Sequence, residues 1–333
     1  MRVAVFNGAG KPITIEDIAD DPLPAGSVRI EVKRCGICGS DVSLTSGSPF
    51  DYAVGSRMGH ESAGTVIELG HGVTSLKVGD NVAVMPRGFC GDCPPCRAGR
   101  PLFCEVGPQQ SGGFGERMVI TERSGFRFPA SVSMAEGALV EPIACGRRAM
   151  RMARLEQGAS VLVIGAGSIG IAAVYWARAM GAGRIVVATR TPARHAIALA
   201  MGADEAVSLG DDPTALDRAM PAPPDIVVEG IGKPGALGEA VSRLRTGGTI
   251  VSLGMCTSHD PVIPAFTAFR DATLIFPIGY APEDFTETVR LFDAGSIRPG
   301  VAVTETVPLA RLPSLVEEMR GPNDHLKVQI TPD

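Results

Sequence analysis

Long apolar runs are missing from this sequence of 333 residues. No stretch approaches the roughly 18 consecutive apolar residues of a membrane helix. The start, MRVAVFNGAGKPITI, has one Arg and only a short apolar run before Asn7-Gly8, too little for a secretory signal. The expectation is a soluble, cytoplasmic protein with no membrane partner. Basic blocks are missing as well. Lys and Arg number 31 against 36 Asp and Glu, for a formal net charge of −5, which argues against nucleic acid as a partner. Cysteine is scarce, and eight are too few to staple a chain of this length. Gly (41) and Pro (26) are plentiful but follow no G-X-Y period, which excludes collagen.

What is present divides into two textures, and the length itself suggests two domains with separate cores. Residues 1–85 carry short β-type runs between Gly, Pro and Asp: Val3–Phe6, Ser27–Val32, Gly64–Leu69 and Asn81–Met85. Residues 88–116 have little periodicity and read as a long loop, which needs something to organise it. From about residue 145, apolar runs such as Val161–Ile164, Arg184–Ala188 and Thr249–Leu253 alternate with helical stretches. That alternation predicts a doubly wound parallel sheet. After Phe276 the sequence reads as one helix, a few strand-like runs and a polar end.

Six of the eight cysteines are bunched, and in a reducing compartment bunching points to metal or catalysis. The strongest pattern is Cys90-x2-Cys93-x2-Cys96-x7-Cys104. Four thiols so spaced can close on one Zn²⁺ with no open position, a structural site that would order the loop. Free core thiols and an iron–sulfur cluster are the competing readings, and the spacing does not suit the cluster.

Cys38 lies in CGICGSD, and Gly59-His60-Glu61 follows within a filled G-H-E-x2-G-x5-G-x2-V pattern running through Gly64 and Gly70 to Val73. In these residues the chain resembles the zinc-containing medium-chain alcohol dehydrogenase family, and the four-cysteine lobe falls at the family's place. The resemblance covers essentially the whole chain and is nearest to the sorbitol/threonine/butanediol dehydrogenase branch. It implies that Cys38 and His60 bind a catalytic zinc. Glu141, in ALVEPIA, matches the branch's glutamate ligand, bound directly or through water. Glu61 can exchange in as a transient ligand, and Asp41 orients the histidine. Ser40 matches the family's hydroxyl to the substrate oxygen. Where many relatives have a relay histidine, this chain has Ser43, so the proton's exit is unassigned.

A third pattern is Gly165-Ala166-Gly167-Ser168-Ile169-Gly170, which follows VLVI and opens a helix. That context suits a pyrophosphate lying at a helix N-terminus. NAD sites normally place an acid about 20 residues further on. Here the strand ends in Thr189-Arg190-Thr191, with Arg194 following, so no carboxylate repels a 2′-phosphate and two arginines can bind it. The cofactor predicted is NADP(H), with NAD(H) the lesser choice. Leu253 and Gly254 match the family's nicotinamide-side backbone.

The expected architecture is α/β. A GroES-like, partly open β-barrel catalytic domain spans 1–144 and 279–333, with a zinc lobe at about 88–106. A Rossmann domain spans 145–278, and the catalytic zinc is expected in the cleft between the two. The expected activity is hydride transfer between NADP(H) and a polyol, sugar-derived or cyclic secondary alcohol or its ketone, with two zinc ions per chain. Substrate contacts are expected from Ser46–Tyr52, Pro86–Arg87, Phe114 and Phe276–Tyr280. The resemblance implies a homodimer or homotetramer. The alternatives are a zinc-independent enone or quinone reductase of the same fold, or a nonenzymatic NADP(H)-binding sensor.

Overall fold

Val28, Ile30 and Val32 alternate along Ser27–Gly36, and all three are buried, the pattern of a strand with one face in a core. This strand is the hub of one sheet in the computed structural model, which describes residues 1–47, 51–210, 212 and 214–332. It pairs antiparallel with Glu61–Leu69, Arg117–Thr121 and Lys327–Thr331. Asn81–Val84 and Gly125–Arg127 extend the seven-stranded sheet on one side, and Val303–Pro308 closes the other in parallel with Lys327–Thr331. Phe6, Met58, Val66, Met118, Leu312 and Val328 fill the core against it.

The chain separates into two compact units, Met1–Glu141 with Tyr280–Asp333, and Pro142–Gly279. The second is built on a six-stranded sheet, all of whose pairings are parallel. Its strands, in sequence, are Ser160–Ile164, Arg184–Thr189, Glu205–Ser208, Ile226–Glu229, Thr249–Ser252 and Thr273–Ile275. Their spatial order is third, second, first, fourth, fifth, sixth, so the winding reverses at the first strand, where α/β sheets bind ligands. Helix Ser168–Ala179 leaves that strand with Gly170 through Ala177 buried, which explains its nearly all-apolar sequence.

One reading needs correction. The stretch after residue 300 is not merely a polar end, since it holds helix Leu312–Met319 and strand Lys327–Thr331. That strand lies between two others, so Lys327 and Gln329 are buried despite their polarity. Segment 88–116 does lack long elements, with only the one-turn helix Pro94–Arg97 and the 3₁₀ turn Pro101–Phe103. Among the described residues no helix is long and apolar enough to cross a membrane.

Candidate metal centres and cofactor site

Two strands and a short helix build the first site. Cys38 precedes helix Gly39–Ser43 at the end of Ser27–Gly36, and His60-Glu61 opens the neighbouring strand. Because Gly36 pairs with Glu61 in register, the turn after one strand meets the start of the other. Ligand atoms of Cys38, His60 and Glu61 thereby come within 4.8 Å of one another.

Asp41 sets the geometry. Fully buried, it accepts a hydrogen bond from the Cys38 amide at 2.9 Å and lies 3.5 Å from His60 Nδ1. With Nδ1 turned to a carboxylate, Nε2 is presented for a metal, 3.5 Å from Ser40 Oγ. Burial works against charging the imidazole, but Asp41 and the Cys38 sulfur outweigh it and raise His60 well above the ordinary histidine value. Tyr52 donates to the same Asp41 at 3.4 Å, a contact that sequence reasoning did not supply.

Glu141 stands in the first turn of helix Val140–Met152 and is buried, outside the 4.8 Å set. Desolvation pushes its carboxyl up to about 7, while the charge of His60 and a hydrogen bond from Tyr280 work the other way. A soft thiolate, an imidazole and a carboxylate form a donor set suited to zinc with a position left open. Ser43 Oγ donates to the carbonyl of Ser40 at 3.5 Å.

The residues around Gly59 hold this corner. Its φ is +90°, and a Cβ there would lie 2.4 Å from the amide nitrogen of Phe114. Phe114 itself is fully buried in the core, which corrects its expected role as a substrate contact. A Gly59→Ala variant should therefore combine backbone strain with a backbone clash and lose about 3 kcal/mol of stability. Urea unfolding would check this, and an unchanged midpoint would refute the packing account.

The second site is the four-cysteine lobe. Cys90 and Cys96 sulfurs are 3.9 Å apart, as are those of Cys93 and Cys104. A tetrahedron with bonds of about 2.3 Å has edges of about 3.8 Å, so the thiols already fit zinc. Amides of Asp92 and Cys93 point at Cys90 Sγ and hold its thiol below the usual value. Arg87 and Arg123 donate to the carbonyls of Cys104 and Cys90, which ties the lobe to the sheet unit and gives Arg87 a structural post. Of the expected substrate segment Ser46–Tyr52, residues Ser48, Pro49 and Phe50 lie outside the described residues.

In the second unit two of the three fingerprint glycines have a steric reason. Gly165 has φ +102° and packs against Gly230, and a Cβ on Gly170 would meet the carbonyl of Gly165 at 2.1 Å. Gly167 caps the helix that begins at Ser168 and Ile169. Thr189 ends its strand almost fully buried, Arg190 is exposed, and Arg194 Nη1 lies 3.5 Å from the carbonyl of Ala166 in the phosphate turn. Leu253 and Gly254 both donate their amides to the carbonyl of Glu229. Cys145 and Cys256 are half-buried thiols outside the metal groups found among the described residues.

This combination of a parallel nucleotide-binding sheet, a mixed sheet carrying a Cys–His–carboxylate cluster and a four-cysteine lobe defines a metal-dependent dehydrogenase fold. Residues 24–130 match the alcohol dehydrogenase GroES-like domain, and residues 168–294 match the zinc-binding dehydrogenase domain. Sorbitol dehydrogenase of Bacillus subtilis (strain 168) is 30% identical, covering 100% of this chain and 98% of its own. Among solved structures, an alcohol dehydrogenase from Escherichia coli CFT073 complexed with NADH has a TM-score of 0.89 at 25% identity, over 99% of both chains. A putative zinc-binding dehydrogenase from Sinorhizobium meliloti 1021 bound to NADP has the same TM-score and identity, also over 99% of both. The chain belongs to the zinc-containing medium-chain alcohol dehydrogenase family, in its sorbitol dehydrogenase-like branch. It is an NAD(P)-dependent oxidoreductase acting on small molecules.

Proposed function

We propose that the protein is an NADP(H)-preferring zinc dehydrogenase of polyol-type secondary alcohols, with one catalytic and one structural zinc per chain. The observation that carries the reading is the convergence of Cys38, His60 and Glu61, with Asp41 aiming the imidazole. Cys38, His60 and Glu141 hold the catalytic ion, with Glu61 as the exchanging carboxylate. Cys90, Cys93, Cys96 and Cys104 hold the structural one. Zinc supplies Lewis acidity toward the alcohol or carbonyl oxygen, and the nicotinamide accepts or donates the hydride. The chain's own part is positional: Ser40 hydrogen-bonds the reacting oxygen, while Gly165, Gly167, Ser168, Ile169 and Gly170 cradle the pyrophosphate. Leu253 and Gly254 shape the nicotinamide side. A polyol substrate is supported by the likeness to sorbitol dehydrogenase.

The preference for NADP(H) is supported by Thr189 standing where an acid would bind the ribose, with Arg194 lying on the phosphate turn. Turnover at equal concentrations of the two cofactors tests it, and at least tenfold faster turnover with NADP⁺ is expected. Arg190→Ala with Arg194→Ala should raise the KM for NADP⁺ by about 30-fold while barely moving that for NAD⁺, since each charge-assisted contact contributes about 1 kcal/mol or more. Equal effects on both cofactors would remove these arginines from the 2′-phosphate.

A homodimer or homotetramer is supported by exposed Ile263, Phe266, Phe269 and Phe276 close in sequence to Thr273–Ile275, which ends the sheet. Work in the cytoplasm is supported by eight cysteines that form no disulfide with one another. A zinc-independent reductase or a nonenzymatic sensor would have no use for the Cys38 cluster. Two zinc ions per chain together with chelator-sensitive turnover would exclude both.

A further inference from the structure

Strand Ile226–Glu229 is apolar until its last residue, and that residue, Glu229, is 1% exposed. Burying a carboxylate is costly unless its oxygens are filled. Here both are. Oε1 accepts from the amides of Ile231 at 2.6 Å and Gly232 at 2.7 Å, and Oε2 accepts from the Ser252 hydroxyl at 3.2 Å. The Glu229 carbonyl takes the amides of Leu253 at 2.8 Å and Gly254 at 3.0 Å. One residue therefore binds the chain leaving the fourth strand and the chain leaving the fifth.

Its place gives these bonds a use. In the parallel register Glu229 lies between Ile164 and Ser252, and Ile164 directly precedes the glycine fingerprint. The fourth strand thus adjoins the first, where the sheet reverses its winding. Backbone packs on backbone there. A Cβ on Gly165 would lie 3.0 Å from the Gly230 carbonyl carbon. One on Gly254 would lie 2.1 Å from the Gly232 nitrogen and 2.8 Å from Glu229 Oε1. Gly230-Ile231-Gly232 belongs to no helix or strand, and glycine is costly to order. The Glu229 carboxylate supplies the bonds that order it.

We propose that Glu229 is a positioning residue for the dinucleotide. It sets Gly230–Gly232 against the phosphate turn and against Leu253–Gly254 before the cofactor arrives, so that the cofactor meets a finished wall. This rests on the reading above that the fingerprint cradles the pyrophosphate and that Leu253 and Gly254 shape the nicotinamide side. What the loop needs is an acceptor at Oε1, not a charge. A glutamine would keep an oxygen for the two amides, and the Ser252 hydroxyl can accept from its NH₂ as well as donate. An alanine leaves both amides without their acceptor, and the cost of ordering the loop then falls on cofactor binding.

Two measurements test this, and neither reads turnover. The first titrates folded protein with NADPH and with NADH, following nicotinamide fluorescence. Glu229→Ala should raise the Kd of the tighter-bound cofactor at least about tenfold, and Glu229→Gln should stay within about threefold of the parent. A residue that only stabilises the fold would lower the melting temperature of Glu229→Ala and leave its Kd unchanged, which overturns the proposal. Equal weakening in both variants overturns it too, because charge and not the bonded loop would then matter. The second measurement follows hydrogen exchange in the cofactor-free parent. The Ile231 and Gly232 amides should exchange at least about a hundredfold more slowly than in an unfolded chain. Exchange at the unfolded rate until cofactor is added would mean that the cofactor builds the loop, and Glu229 would lose its role. Should the parent bind neither cofactor, the functional reading above fails instead. If Glu229→Ala does not fold, the exchange measurement decides.

Discussion

Cys38→Ser is expected to lose one of two zinc ions and at least about a thousandfold in turnover while the protein remains folded. The serine hydroxyl stays protonated near neutrality and cannot replace a thiolate, which leaves His60 and a carboxylate too few to hold the ion. Lewis-acid stabilisation amounts to several kcal/mol, and about 4 kcal/mol corresponds to a thousandfold. The local backbone should survive, because Asp41 caps the Cys38 amide through main-chain geometry that serine shares. Metal analysis with circular dichroism and steady-state kinetics checks all three parts. Full turnover with one zinc per chain would show that catalysis needs a different metal, or none.

Replacing Cys96 with Ser attacks the other centre and should have a different signature. The lobe should lose its zinc, and limited proteolysis should cut within residues 88–106, while Cys38 and His60 keep theirs. A one-turn helix and a 3₁₀ turn are the only helices there, and neither is long enough to stand alone. Without metal, what ties the lobe to the sheet unit includes the arginine bonds to the Cys90 and Cys104 carbonyls and the Gly88 amide's bond to Pro108, each contributing no more than a few kcal/mol. Structural zinc can contribute on the order of 10 kcal/mol to folding. Thermal unfolding should accordingly broaden or fall sharply. Protease resistance equal to the parent's would mean that protein contacts, not metal, order the lobe.

Much of this was legible in the residues, because the legible parts are local. The cysteine spacings, the glycine fingerprint and the Thr189 strand end are read within short windows, and in the folded chain Gly165 and Gly170 sit where a side chain would not fit. The alternation after residue 145 likewise gives a parallel sheet whose strands start within a residue or two of their apolar runs. What escaped is non-local. Lys327 reads as one more charge near a polar end until Lys327–Thr331 pairs with a strand almost 300 residues earlier. Phe114 reads as a pocket residue until Gly59 folds beneath its backbone. Tyr280 hydrogen-bonds Glu141 although the whole nucleotide-binding unit separates the two in sequence. Single-sequence patterning contains no term for such pairings.

The order in which a ribosome delivers the chain bears on the last strand of the mixed sheet. The nucleotide-binding unit is one continuous stretch, Pro142–Gly279, placed inside the chain of the other unit. It can therefore emerge and fold as a whole while its host still lacks Lys327–Thr331. Until that strand is made, Glu61 has no Lys327 ammonium beside it and the Cys35–Gly36 end of Ser27–Gly36 lacks one of its two partners. The mixed-sheet unit must wait, half-built, for Lys327–Thr331 to be made. An enzyme of this design acquires its nucleotide-binding fold first and its chemistry last.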